Sequence, residues 1–151
     1  MSAGRHRRAA PLGWSPEPAA GEDDVKFLLT MHMNPDVWEG LSEETRQEVM
    51  DGHADFIAKI RASGEMISTQ ALGGPEDSAV VRVRGGVPAV TDGPYAESKE
   101  FLAGFYLVEC ESRDRALEVA AMIPDAGIDG LGIEVRPVVF FADAETQSEL
   151  G

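Results

Sequence analysis

Thr91-Asp92-Gly93-Pro94-Tyr95-Ala96-Glu97-Ser98-Lys99-Glu100 runs without a break into Phe101-Leu102-Ala103-Gly104-Phe105-Tyr106-Leu107-Val108. The first ten residues are polar and turn-forming, and the next eight are the most apolar strand-like run of the chain. Gly93-Pro94 fixes the bend between them: proline holds its own φ near −65° and keeps Gly93 out of the helical region, while Gly93 brings no Cβ to clash. Asp92, Tyr95, Glu97, Lys99 and Glu100 are thereby offered from a stiff corner. Such corners on a packed scaffold collect function, although a solvated connector has the same composition.

Upstream of this corner the sequence reads as a tight hairpin. Ala79 to Arg84 pairs with Val87 to Thr91 across Gly85-Gly86, a dipeptide that accepts the positive φ values of a primed turn. Pro88 lacks a donor, which assigns its arm to an edge. Before the hairpin, Met66 to Leu72 reads as a strand ended by Gly73-Gly74-Pro75. Earlier still, Ser42 with Glu43-Glu44 opens a helix, with an N-cap oxygen and two acids on the positive end of the dipole. Thr45 stands where a full capping box has Glu or Gln. Val49, His53, Phe56, Ile57 and Ile60 then form one helical face, which ends near Ser63-Gly64.

The first strand is Val25 to Met33. Val25, Phe27, Leu29, Met31 and Met33 make one face and Leu28, Thr30 and His32 the other, so it belongs inside the sheet; Asn34-Pro35 stops it. Downstream of strand 101–110, Ser112 caps a second helix through Leu117, Ala120, Ala121 and Ile123, which Pro124 terminates. Leu131 to Val139 forms the last strand. With the inserted hairpin set aside, the order is β-α-β-β-α-β, an α+β chain of the ferredoxin-like split βαβ type. Two helices cover one sheet face. The other face carries Phe, Leu, Val and Met, and pairing two such faces in a homodimer would bury them as a dimeric α/β barrel with an obligate interface.

The chain of 151 residues is 43% hydrophobic, enough for one domain with a real core. Residues 1–24 hold three of nine prolines and no periodic apolar pattern, and read as a disordered leader or as a start placed too early. The acidic segment 142–151 reads as a frayed tail. The net charge is −14, of which −13 lies in residues 25–151. Such a surface repels phosphate backbones and anionic membranes, so neither nucleic acid nor membrane is an expected partner. Cys110, the only cysteine, excludes an internal disulfide and a thiolate zinc cluster; in a strand it reads as a small buried hydrophobe, and a cytoplasmic, reducing setting follows. No apolar run reaches transmembrane length.

Asp92-Gly93-Pro94-Tyr95-Ala96-Glu97-Ser98-Lys99-Glu100 resembles the DGPF motif, with Tyr for Phe, of a bacterial branch of the YCII-related proteins. Strand 25–33, the hairpin end Val90-Thr91, Gly104-Phe105-Tyr106-Leu107 and the closing Glu134-Val135-Arg136-Pro137 resemble the family layout as well, so the resemblance covers residues 25–141. It implies a ferredoxin-like dimeric α/β barrel, and a link to extracytoplasmic-function sigma factors, beside whose genes many relatives lie. It also implies a His-Asp pair in a cleft between the first helix and the sheet. His53 is similar in position to that histidine. The matching acid is not carried over: where the wider family has Asp-Pro after the second helix, this chain reads Ile123-Pro124-Asp125.

The candidate site is therefore His53 as acid-base residue with Asp92 as its orienting carboxylate and Glu97 or Glu100 behind it. Tyr95, Glu97, Lys99 and Glu100 are the candidate ligand-binding residues, in a pocket between helix 42–63, strand 25–33 and the 91–100 loop. The bland alternative for His53 is a buried neutral ring bonded to a neighbour. His32, Asn34 and Asp36 could join His53 around a metal, but no HxH or HExxH spacing is present, and no metal or other cofactor is expected. Two functions follow: a small-molecule domain using His-dependent acid-base catalysis, or a non-catalytic module that meets a sigma factor through its acidic surface.

Overall fold

The computed structural model describes residues 24–145, so the expected leader 1–24 falls, but for Asp24, outside the described residues, as does the 146–151 part of the tail. Four strands, β1 (Val25–Met33), β2 (Met66–Ala71), β5 (Phe101–Cys110) and β6 (Ile133–Pro137), form one antiparallel sheet in the order β2-β5-β1-β6. β1 is thus separated from β2, and β5 from β6, by one intervening strand, and this order is compatible with a ferredoxin-like fold. β3 (Ala79–Arg84) and β4 (Val87–Asp92) make a separate two-stranded ribbon, turned at Gly85 and Gly86 with φ of 58° and 80°.

Three helices accompany the sheet: α1 (Pro35–Glu39), α2 (Glu43–Ala62) and α3 (Arg113–Ala121). The single turn α1 was not expected behind the strand-stopping Asn34-Pro35; Asn34 caps it by accepting the Asp36 amide at 3.0 Å, and Pro35 is preorganised for a first turn. Ser42 caps α2 through the Thr45 amide at 3.0 Å and also bonds the Thr45 hydroxyl at 2.9 Å, so Thr45 completes the cap by a different route from a Glu. Gly64 ends the helix at φ 81°. α3 starts on the Ser112 cap and stops short of Pro124, which opens a 3-10 turn over Pro124–Gly127. The last strand is shorter than the expected 131–139, because Gly130 at φ 91° and the turn at Leu131 occupy its start.

The core lies between the sheet and the helices. Phe27, Leu29 and Met31 of β1 alternate inward with Tyr106, Val108 and Cys110 of β5, against Phe56 and Ile60 of α2 and Ala116, Val119, Ala120 and Ile123 of α3 and its exit. Cys110 is 1% exposed, and burial, helped by the charge of Glu65, pushes its thiol up to about 11, so it is inert packing. Arg115 of α3 grips Glu65 with a two-pronged ion pair at 2.9 and 3.0 Å, tying the helix to the start of β2. On the far face Leu28, Phe105 and Leu107 are only half-buried.

Candidate functional site

His53 sits on the core-facing side of α2, one turn before Phe56. It does not meet Asp92. Its Nε2 lies 2.8 Å from Oδ1 of Asp125, and its Nδ1 lies 2.7 Å from the hydroxyl of Tyr106. An ionised Asp125 can only accept, so Nε2 carries a hydrogen toward it, and Nδ1 keeps a lone pair for the Tyr106 O–H. The result is a chain Asp125, His53, Tyr106 that joins three separate elements.

Each member is held for a local reason. Pro124 cannot continue α3 and turns the backbone, while Ile123, 1% exposed, pins that turn into the core. Asp125 follows and is 6% exposed, a placement that a carboxylate tolerates only with a hydrogen-bonding partner. Gly52 makes the approach possible: a Cβ there would stand 2.7 Å from Cγ of Pro124, so only glycine lets α2 come this close to the turn. Tyr106 is 2% exposed in the central strand β5, edge-on to Phe56 at 4.8 Å and nearly parallel to the His53 ring at an interplanar angle of 9°. Burial, with the negative charge of Asp125 adding to it, pushes the Tyr106 phenol up to about 12. Tyr106 therefore keeps its proton through the neutral range and is a donor, not a nucleophile.

The carboxylate that His53 meets is thus Asp125, the residue directly after Pro124. The residues of the 92–100 stretch go elsewhere. Asp92 closes β4 opposite Ala79 and is exposed, on a ribbon that belongs to a different sheet from Tyr106. Gly93, at φ 113°, donates to the Ser78 carbonyl at 2.7 Å and turns the chain away. Tyr95 and Glu100 line a cavity of about 760 Å³, with His32, Asp77, Phe101 and Leu102 among its other walls; Glu97 and Lys99 are exposed and outside that lining. The cavity that Tyr95 and Glu100 line takes in His32 of β1 but not His53 or any other residue of α2, unlike the expected pocket between helix 42–63, strand 25–33 and the 91–100 loop.

His32 and His53 lie on opposite faces of the sheet, so they share no ligand. Asn34 is engaged as a helix cap, and among the described residues no group of three or more His, Cys, Asp or Glu could hold a metal ion. Nor is any described helix long and apolar enough to cross a membrane. On the far face His32 Nε2 is 3.1 Å from the Thr30 hydroxyl, which donates to Oε1 of Glu134 at 3.1 Å. Neither Tyr106 nor this Thr30 link was anticipated. Tyr106 had a visible signal, since it shares strand parity with Val108 and Cys110 and brings a hydroxyl into the core.

The chain matches the model of the family described as YCII-related domain over residues 25–142. It is also 30% identical over 122 residues to an uncharacterized protein of Rhizobium meliloti (strain 1021), an alignment that spans 81% of this chain and 98% of that one.

Proposed function

This chain belongs to the YCII-related domain family, and from that membership we propose that it is a small-molecule domain in which His53 performs acid-base chemistry. The observation that carries this reading is the hydrogen-bonded chain from Asp125 through His53 to Tyr106, at 2.8 and 2.7 Å. In the proposed roles, Asp125 fixes the ring tautomer and stabilises the imidazolium, and Nδ1 of His53 takes a proton from the substrate once the Tyr106 hydroxyl has given up its bond to it. The His53 side chain is 20% exposed, and that edge is the proposed point of entry.

Several finer assignments go with this proposal. Asp92-Gly93-Pro94-Tyr95 supports a place in the DGPF-motif branch. The half-buried Leu28, Phe105 and Leu107 support a homodimer closed as an α/β barrel, with the β3-β4 ribbon as an insertion in the ferredoxin-like core. The lone, inert Cys110 suits a cytoplasmic setting.

The test compares wild type with His53→Gln and Asp125→Asn in a small-molecule cell extract, following consumed and formed species by mass spectrometry. At least one conversion should be lost in both variants while light scattering still reports a dimer. Identical extracts from wild type and a folded His53→Gln would overturn the acid-base reading.

A second reading has its own observation. In the ribbon, Val81, Val83, Val87 and Val90 are 63 to 65% exposed, and an isolated two-stranded ribbon gains little stability on its own. A protein partner, such as the sigma factor that the resemblance implies, would cover it. Val81→Asp with Val90→Asp should then abolish binding to that sigma factor, whereas His53→Gln should not.

A further inference from the structure

We infer that the cavity between the β3-β4 ribbon and the adjoining ends of β1 and β5 binds a small organic ammonium with an apolar body, its charge met by Asp77, Glu100 and Nδ1 of His32. The volume, about 760 Å³, suits a small molecule. Leu72, Val80, Val81, Phe101 and Leu102 supply apolar wall, and the charged lining is Asp77 and Glu100, without Lys or Arg.

The floor of the cavity adds a further acceptor. Thr30 has one hydroxyl hydrogen, and giving it to Glu134 leaves its oxygen to accept from His32 Nε2–H. That tautomer leaves Nδ1 with its lone pair, and the imidazole, 44% exposed, lines the cavity. Thr30 is itself only 5% exposed, so the relay is fixed from below. At the rim, the Arg82 guanidinium lies 5.8 Å from the Tyr95 ring and takes up that face, so the preference for a cation rests on Asp77, Glu100 and His32 inside the cavity. Two carboxylates and an imidazole lone pair favour a ligand that donates hydrogen bonds and carries positive charge, and they penalise its anionic counterpart.

The experiment titrates the full-length protein with phenethylamine and, separately, with phenylacetate, reading amide and imidazole shifts by NMR. Shifts confined to His32, Leu72 to Val81 and Pro94 to Leu102 are expected with the amine, at an affinity about tenfold or more above that for the acid. Asp77→Asn with Glu100→Gln, two exposed isosteric changes, should remove most of this preference. His53→Gln should leave it intact, which separates this site from the acid-base proposal. Equal binding of amine and acid, shifts centred on His53, an unchanged preference in the double variant, or no amine binding because a second copy fills the cavity would each overturn the inference.

Discussion

The two faces of the sheet each couple a histidine to a carboxylate, and they do so in opposite regimes. Against the helices, His53 and Asp125 touch directly at 2.8 Å with side chains 20% and 8% exposed; on the far face, His32 and Glu134 stand 3.8 Å apart at 44% and 51%, with the Thr30 hydroxyl between them. Water screens the attraction of the second pair, and its link runs through the buried Thr30 hydroxyl. The first pair has given up its water, so losing either member strands the other in a poorly solvated place. The same residue types therefore serve as a direct, desolvated unit on one face and as a hydroxyl-bridged, solvent-facing one on the other.

The largest expected effect breaks the buried pair. Asp125→Ala should cost about 3 kcal/mol, because it leaves His53 Nε2–H unpaired beside the core. Calorimetry should show the melting temperature falling by about 10 °C. A drop no larger than that of a surface carboxylate would show that the pair is as well solvated as the one at His32.

Next comes the contact that makes the pair possible. Gly52→Ala raises helix propensity by up to about 1 kcal/mol, yet its Cβ meets Pro124 Cγ at 2.7 Å. A net loss of about 1 to 2 kcal/mol is expected, with the His53 ring resonances broadened as Asp125 is pushed away. A stabilised variant would mean that the Pro124 turn yields freely.

Tyr106→Phe should cost about 1 kcal/mol at neutral pH and change the alkaline limb of stability. Folded Tyr106 holds its proton up to about 12 and the unfolded phenol only to its ordinary 10.0, so this group stabilises fully below pH 10.0 and its contribution is lost as pH rises through about 12. Cys110 adds a limb of the same sign from its ordinary 9.0 to about 11. Thermal melts from pH 8 to 12 should show the Phe variant losing the upper part of that slope and keeping the lower. The smallest effect belongs to the far face: Glu134→Gln should cost about 0.5 kcal/mol or less, and the cost should fade with added salt.

Much of the scaffold was legible beforehand. Phe27, Leu29 and Met31 alternate in β1, Val49, Phe56 and Ile60 recur at helical spacing, and Ser42, Ser112, Gly64, Pro124 and Gly85-Gly86 mark the ends, because each of these signals is local and has a local cause. His53 was also legible, as a polar group on an apolar helical face. Its partner was not. Asp125 follows Pro124 rather than preceding it, so the local pattern does not single it out, whereas Asp92 stands at the entrance to a central strand. What decided between them was the close approach of α2 to the Pro124 turn at Gly52, a contact between residues 72 positions apart, beside a ribbon that carries Asp92 into a different sheet.

Periodicity, caps and turn residues act within a few positions along the chain, so they mark the sheet strands, the ribbon and the two longer helices in order, with the apolar face of each, though not the single turn α1 or the start of β6. Only the tertiary structure decided which carboxylate His53 meets, that Tyr106 closes the chain from the other side, and that the Gly93-Pro94 corner with Tyr95 and Glu100 faces the cavity of His32. Those outcomes depend on strand order, register and how closely a helix can dock, which no short stretch of residues encodes.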